Sequence, residues 1–358
     1  MSTLQATNIK SAASASNNIV LDASGNATFA GTAAMASSFL RNRIINGGME
    51  IDQRNAGASV VLDAGTVFPV DRFRGFEDSD GAMTGQRSTT APAGFINSLQ
   101  ITTTTADASL GATQYCAVEQ IIEGSNISDL GWGTASAQTV TLSFWVRSSL
   151  TGTFGGTVKN SGGTRSYPYT YTISAANTWE FKTVTVPGDT IGTWATDNGQ
   201  GIRVQFGLGV GSSFSGTAGA WSGTNSISVT GAVSVIGTLN ATWLVTGVQL
   251  EVGSAATPFE RRQFGQELAL CQRYYESAYN IWSGYTNGAS PYYLITTYKV
   301  TKRAAASISL LNTNNSGFPN TAATVGVNTE QFFRVDPISN ASSTAAFYQF
   351  NWVASAEL

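Results

Sequence analysis

The chain has no histidine among its 358 residues. That excludes Ser-His-Asp and Cys-His catalysis, histidine-ligated zinc and a histidine pH switch. Its two cysteines, Cys116 and Cys271, are too few for a disulfide framework and read as small buried hydrophobes, with one disulfide between them as the alternative. Charge is scarce as well: Asp, Glu, Lys and Arg make up 11% of the sequence, against roughly 25% in ordinary soluble domains. The net charge is −3 and there is no basic stripe, so neither nucleic acid nor an anionic membrane surface is an expected partner. No apolar run is long enough for a transmembrane helix, and no charged-then-apolar leader pattern opens the chain, so neither membrane insertion nor a signal peptide is expected. No D-x-D-x-D-G loop occurs, and Asp78-Ser79-Asp80-Gly81 reads as a plain turn. Neither a metal nor a cofactor is expected. Asp71 would bond a neighbouring backbone group or an arginine, with a structural calcium as the alternative.

Gly, Ser, Thr, Asn and Ala fill the space that charge leaves, which points to an all-β, turn-rich protein. Residues 202–210 alternate cleanly, with Ile202, Val204, Phe206, Leu208 and Val210 on one face. Residues 139–147 place Val140, Leu142, Phe144 and Val146 together, and 182–186 place Val184 and Val186 together. Residues 116–122 are rich in apolar residues. Gly and Pro interrupt these runs at short intervals, and many short strands without intervening helices argue for a sandwich or jelly roll. Tyr167, Tyr169, Tyr171 and Ile173 share the face of another strand, and Pro168 makes it an edge strand. Asp71-Arg72-Phe73 is expected to begin a strand, with the first two side chains on opposite faces.

The clearest change of period lies between Trp243 and Ser277. Leu244, Thr246, Val248, Leu250 and Val252 alternate with Val245, Gly247, Gln249 and Glu251, a strand pattern. Thr257-Pro258-Phe259-Glu260 then reads as a capped helix start. Phe264, Leu268, Cys271 and Tyr275 follow at helical spacing and are expected to line one buried face.

TGVQLEVGSAATPFERR followed by ELALCQRYYES resembles a signature of tailed-bacteriophage fibre and receptor-binding proteins. RNRIINGGMEIDQRN, VDRF and TLSFWVRSSLTGTF match the same family upstream, so the resemblance covers roughly residues 41–277. It implies a jelly-roll domain similar to a carbohydrate-binding module, here 41–260. A connecting helix, 261–278, and a small antiparallel β-domain, 279–358, would follow. Residues 1–40 carry two short β-runs around Asp22-Ala23-Ser24-Gly25-Asn26, a hairpin too small to be stable alone. Similar segments in phage fibres trimerise, so the resemblance implies a homotrimer attached to other virion proteins through this end. Such a protein is made in the host cytoplasm, assembled into the virion and released by lysis.

Three functions compete. The first is an adhesin for a host-surface glycan. Its contacts would come from Trp221, Trp194 and Trp282, from Asp197 and Asn198 beside Trp194, and from Tyr167, Tyr169 and Tyr171 as a flat aromatic platform. For each, packing within the fold or between subunits is the alternative use. The second is a structural head-fibre, decoration or adaptor protein. The third is a polysaccharide depolymerase, which needs a carboxylate pair. Glu119, Glu123, Asp197, Glu251 and Glu260 form no recognisable pair, and no β-helix repeat is visible, so no catalytic residue is assigned. The trimer is directly testable: light scattering on the full chain is expected to give three times 37.5 kDa. A monomer at micromolar concentration contradicts it.

Overall fold

The computed structural model describes residues 41–318, 324–340 and 342–358, and, before residue 41, only 8–9, 19–21 and 27–29. The chain divides into two compact units, 1–41 and 42–358. In the first, Ile19–Leu21 pairs antiparallel with Ala27–Phe29, so both arms of the expected hairpin are present, and Asn8–Ile9 pairs alongside. The turn between the arms and the rest of 1–40 lie outside the described residues.

The second unit begins with a sandwich of twelve strands. In chain order they are β1 (Val60–Val61), β2 (Val67–Val70), β3 (Phe73–Asp78), β4 (Ala82–Ser88), β5 (Ser98–Thr105) and β6 (Tyr115–Glu123). There follow β7 (Val140–Ser148), β8 (Gly152–Asn160), β9 (Ser166–Ile173), β10 (Glu180–Val186), β11 (Gln200–Val210) and β12 (Thr242–Val252). One sheet has the order β10-β7-β12-β5-β4-β1, the other β9-β8-β11-β6-β3-β2. All pairings are antiparallel, and the result is a jelly-roll sandwich. β9, the strand containing Pro168, is an edge strand, as the missing backbone N–H requires.

The inner faces follow the alternation that the sequence carries. Val140, Leu142, Phe144 and Val146 meet Ile202, Val204, Phe206 and Leu208 in one core. β12 departs from it. Trp243 and Val245 face this core before Gly247, and Val248 and Leu250 face it afterwards. Gly247 sits at φ 62°, and the register with β7 slips between Ser143 and Trp145. A bulge inserts one residue and moves the inward face by one position. The expected face of Leu244 and Thr246 with Val248 and Leu250 is therefore split. Trp243, buried at the centre, donates its indole N–H to the Tyr171 hydroxyl at 3.0 Å.

Asp71 and Arg72 form the turn between β2 and β3 rather than the start of a strand, with Arg72 in the left-handed region at φ 70°. Asp71 accepts bonds from the Gln53 backbone N–H at 3.2 Å, the Gln53 side chain at 2.6 Å and Arg54 at 3.2 Å. Both cysteines are free and buried, and burial pushes the Cys116 thiol up to about 12.

The helix α1 (Phe264–Gln272) starts later than expected. Glu251 captures Thr257 instead, accepting its N–H at 2.8 Å and its hydroxyl at 2.6 Å. Glu260 accepts the Asn42 N–H at 2.6 Å, so it is unavailable as a cap. Cys271 is buried and Leu268 is half-buried on a cluster with Ile45, Ile51 and Tyr274, whereas Phe264 is 60% exposed. Tyr275 falls beyond the helix, with the Arg54 guanidinium 3.7 Å over its ring.

Two three-stranded antiparallel sheets complete the unit. Their strands are β13 (Tyr275–Thr286), β14 (Leu294–Thr297), β15 (Ser307–Ser316), β16 (Thr324–Asn328), β17 (Phe332–Asp336) and β18 (Ser343–Ser355). Phe333, Tyr348, Phe350 and Trp352 form their core. Polar contacts fasten this module to the sandwich. Glu357 accepts Arg54 at 2.8 Å and also Arg72, whose guanidinium lies 3.5 Å over the Tyr274 ring. Glu123 accepts Arg273 at 2.5 Å and the Tyr274 hydroxyl at 2.7 Å. Burial pushes the Glu123 carboxyl up, but these bonds outweigh it and hold it below the usual range.

Two predictions follow from these buried charges. Lys302 and Glu276 form a fully buried pair at 2.6 Å. Lys302→Met strands the carboxylate, and chemical denaturation is expected to show a loss of about 3–5 kcal/mol, most of it recovered by adding Glu276→Gln. Glu123, with a folded pKa below its ordinary 4.5, contributes stability that is present above that pH and lost as pH falls through the folded value. The stability difference between wild type and Glu123→Gln is therefore expected to be larger at pH 7 than at pH 3, and an equal difference at both contradicts it.

Candidate ligand cleft

β9 and β10 are the edge strands of the two sheets on the same side of the sandwich, and a cleft of about 350 Å³ opens between them. Tyr167 and Tyr169 line it from β9 together with Thr170. Thr183 and Val184 line it from β10, and Ala218 and Gly219 close it from the segment after β11. That segment is pinned to β9 by the Gly219 N–H, which donates to the Pro168 carbonyl at 2.9 Å. None of the lining residues is charged.

The tyrosines of β9 do not form the surface platform that their spacing suggested. An edge strand still has an inner face, and here it carries all three rings. Tyr169 donates to the Gln205 carbonyl at 2.8 Å, and Tyr171 packs between Phe144 and Phe154. Burial raises the pKa of both hydroxyls well above the usual value, so they remain neutral bonding groups. Tyr167 is different. It lies at the end of the strand, its hydroxyl has no hydrogen-bond partner among the described residues, and burial raises its pKa too. A neutral phenol with free donor and acceptor capacity therefore stands at the cleft.

Trp221 packs beside Tyr167 with ring centroids 5.4 Å apart, and meets Trp132 at 5.4 Å and Trp194 at 5.5 Å. Trp132 and Trp194 are 4.7 Å apart, edge to face. All three indole N–H groups are used internally: Trp221 on Pro187 at 2.7 Å, Trp132 on Gln138 at 2.7 Å and Trp194 on Ile191 at 3.3 Å. The cluster is thus a rigid support, with Trp132 and Trp194 buried and Trp221 half-buried. Arg165 and Asp189 flank it with paired 2.7 Å bonds. Trp132 escaped sequence reasoning, since GWGT lies between strands with no aromatic neighbour in sequence to mark it.

The remaining expected residues have other work. Asp197 accepts the Gly199 N–H at 2.9 Å within its own turn. Asn198 donates to the Arg303 carbonyl at 2.8 Å and accepts Arg303 at 2.9 Å, which docks the C-terminal module. Trp282 lies in strand β13, not in a loop, and packs half-buried on Tyr292 at 5.0 Å and Phe318 at 5.7 Å. Glu119, Glu123, Glu251 and Glu260 are held by the structural bonds of neighbouring residues.

No protein-family model and no curated protein matches the chain. Among solved structures it is similar to the enzymatically active domain of tailspike protein 4 of bacteriophage CBA120, at 12% identity and a TM-score of 0.32 over 59% of this chain. It spans only 21% of that domain. It is also similar to the family 11 carbohydrate-binding module of Clostridium thermocellum, solved in complex with a β-1,3-1,4-mixed-linked tetrasaccharide. There the identity is 14% and the TM-score 0.27, over 56% of this chain and 98% of that one. A third likeness is to TmCBM61, solved with β-1,4-galactotriose, at 9% identity and a TM-score of 0.29, over 60% of this chain and 99% of that one.

Proposed function

We propose that the protein is a virion adhesin of a tailed bacteriophage that binds a host-surface polysaccharide in the Tyr167 cleft, as a homotrimer and without cleaving it. The observation that carries the reading is the cleft itself: uncharged, and lined by Tyr167 and Tyr169 together with Thr170 and Thr183. Sugars offer C–H faces to aromatic rings and hydroxyls to short hydrogen bonds, which is the chemistry available there. The virion setting rests on the sequence resemblance of 41–277 to phage fibre proteins. Three copies on one particle would compensate for weak single contacts.

A second reading draws on the outer face of β13 and β18. Tyr279, Ile281, Tyr285 and Phe347 point away from the module core there, the first three more than half exposed, and the face carries no charge. Such a surface would suit another virion protein, as in a head-fibre or adaptor role.

Ala218→Trp fills the cleft from an exposed position and leaves the core intact. It is expected to abolish binding in a host-cell adsorption or glycan-array assay with an unchanged melting temperature. Tyr167→Phe removes one hydroxyl and is expected to weaken binding about three- to tenfold, in line with about 0.5–1.5 kcal/mol for one hydrogen bond. Normal adsorption by Ala218→Trp would place the contact elsewhere. If the wild type binds neither cells nor glycans, the structural role is favoured.

A further inference from the structure

The outer face of the β9-containing sheet carries a second constellation. Arg74, Glu119, Gln205 and Thr157 stand side by side on β3, β6, β11 and β8, and Arg203 and Lys159 are paired in the next row. Glu119 is fully buried, and one carboxylate serves two guanidiniums. Arg74 reaches it at 3.1 Å and Arg203 at 2.8 and 2.9 Å, with the Gln205 amide at 2.7 Å. Lys159 is buried beside Arg203, and its one hydrogen bond among the described residues goes to the neutral Asn225 Oδ1 at 2.8 Å.

Two guanidiniums, Arg74 and Arg203, thus share one anion, Glu119, which leaves a local surplus of one positive charge, with Lys159 adding to it when protonated, on a chain whose net charge is −3. The other carboxylate that acts on Arg74, Glu357, is already shared by Arg54 and Arg72. The surplus is disfavoured as it stands. Burial and then Arg203 lower the Arg74 pKa, and burial followed by Arg203 takes that of Lys159 down to about 7. Unused hydrogen-bonding capacity lies alongside: the donor Arg74 Nε, the hydroxyl Thr157 Oγ1 and the acceptors Gln205 Oε1 and Glu119 Oε1 are buried with no hydrogen-bond partner among the described residues. The two guanidiniums still reach solvent, with side chains 19% and 20% exposed. Beside them is an aromatic wall. Arg74 lies 3.8 Å over Phe76, which packs on Tyr115 at 6.3 Å, and Tyr115 on Phe214 at 5.3 Å.

Two guanidiniums that reach solvent beside aromatic rings match an oxyanion carried on a sugar ring. We propose that this face holds the negatively charged group of an acidic glycan, so that the polysaccharide recognised is anionic. This rests on the glycan-binding reading above. The shared chemistry is an oxyanion, either a uronate-type carboxylate or a sugar phosphate.

The test is titration calorimetry of the full chain with polygalacturonate, a phosphomannan and neutral dextran, at low and high NaCl. The expected result is that at least one acidic polymer binds at least tenfold more tightly than dextran, and that high salt weakens it. Which acidic polymer binds names the oxyanion. Arg203→Gln leaves Glu119 with Arg74 and Gln205, and is expected to remove the preference. Asn225→Asp changes an exposed residue, adds a carboxylate beside Lys159 and is expected to weaken acidic binding several-fold, so it decides the matter if Arg203→Gln does not fold. Equal affinity for neutral and acidic polymers, or an unchanged preference in a folded Asn225→Asp and Arg203→Gln pair, overturns this inference and leaves the cleft reading standing. If no polysaccharide of either kind binds, the reading on which it rests falls as well.

Discussion

A carboxylate in the middle of a six-stranded sheet, with no exposed surface, is destabilising unless its charge is met by well-placed donors. Glu119 is in that position, and one side of the sandwich is arranged around it. Arg74, Arg203 and Gln205 converge on it from the two neighbouring strands. Arg74, Glu119 and Gln205 are directly opposite one another on adjacent antiparallel strands and form one row across the sheet, with Arg203 reaching in from the next. The segment after β11 then lies over part of this face, with Asn225 on Lys159 and Ile227 packed on Phe76 and Ala117. The same segment carries Ala218 and Gly219 at the cleft and Trp221 against the ring of Tyr167. The charged face and the uncharged cleft are thereby joined by one stretch of backbone.

The C-terminal module is held by a comparable device. Its core is its own, built on Phe333 and Trp352, and polar bonds tie it to the sandwich beside a small apolar cluster of Ile45, Ile51, Tyr274 and Leu358. Glu357 ties together Arg54 and Arg72 on one side, and Glu123 ties Arg273 and Tyr274 on the other. Arg72 adopts a left-handed conformation that non-glycine residues seldom take. The bonds to Glu357 and to the Ile121 carbonyl hold it there. Polar junctions of this kind set geometry more than they add stability, since much of the Coulombic gain is offset by desolvation.

The sandwich was legible in the sequence where period-two alternation ran uninterrupted, as in β7, β10 and β11. It was not legible where one residue breaks the period. Gly247 looks like any glycine in a strand pattern, yet its left-handed backbone shifts the inward face of β12. The helix start was misplaced because Thr-Pro-x-Glu satisfies a local rule, while Glu251 and Asn42, nearby only in the folded chain, take the same groups. β13 was hidden for another reason: its outward Tyr279, Ile281 and Tyr285 are as apolar as its inward residues, so no alternation shows. Of the site, Tyr167, Trp194 and Trp221 each had a visible signal in their aromatic character, but nothing in the sequence marked the contact between the two tryptophans. The cleft had none, because it is formed by the edges of two sheets that sequence spacing does not bring together.

The most direct test of the account is a methyl-resolved nuclear magnetic resonance titration of the full chain with polysaccharide purified from a host surface. The account predicts shifts centred on the methyl groups of Thr170, Thr183, Val184 and Ala218, which surround the cleft. Core reporters such as Val204 and Leu250 are predicted to stay unmoved. Saturable shifts confined to the C-terminal module, with the cleft methyls unchanged, would contradict it.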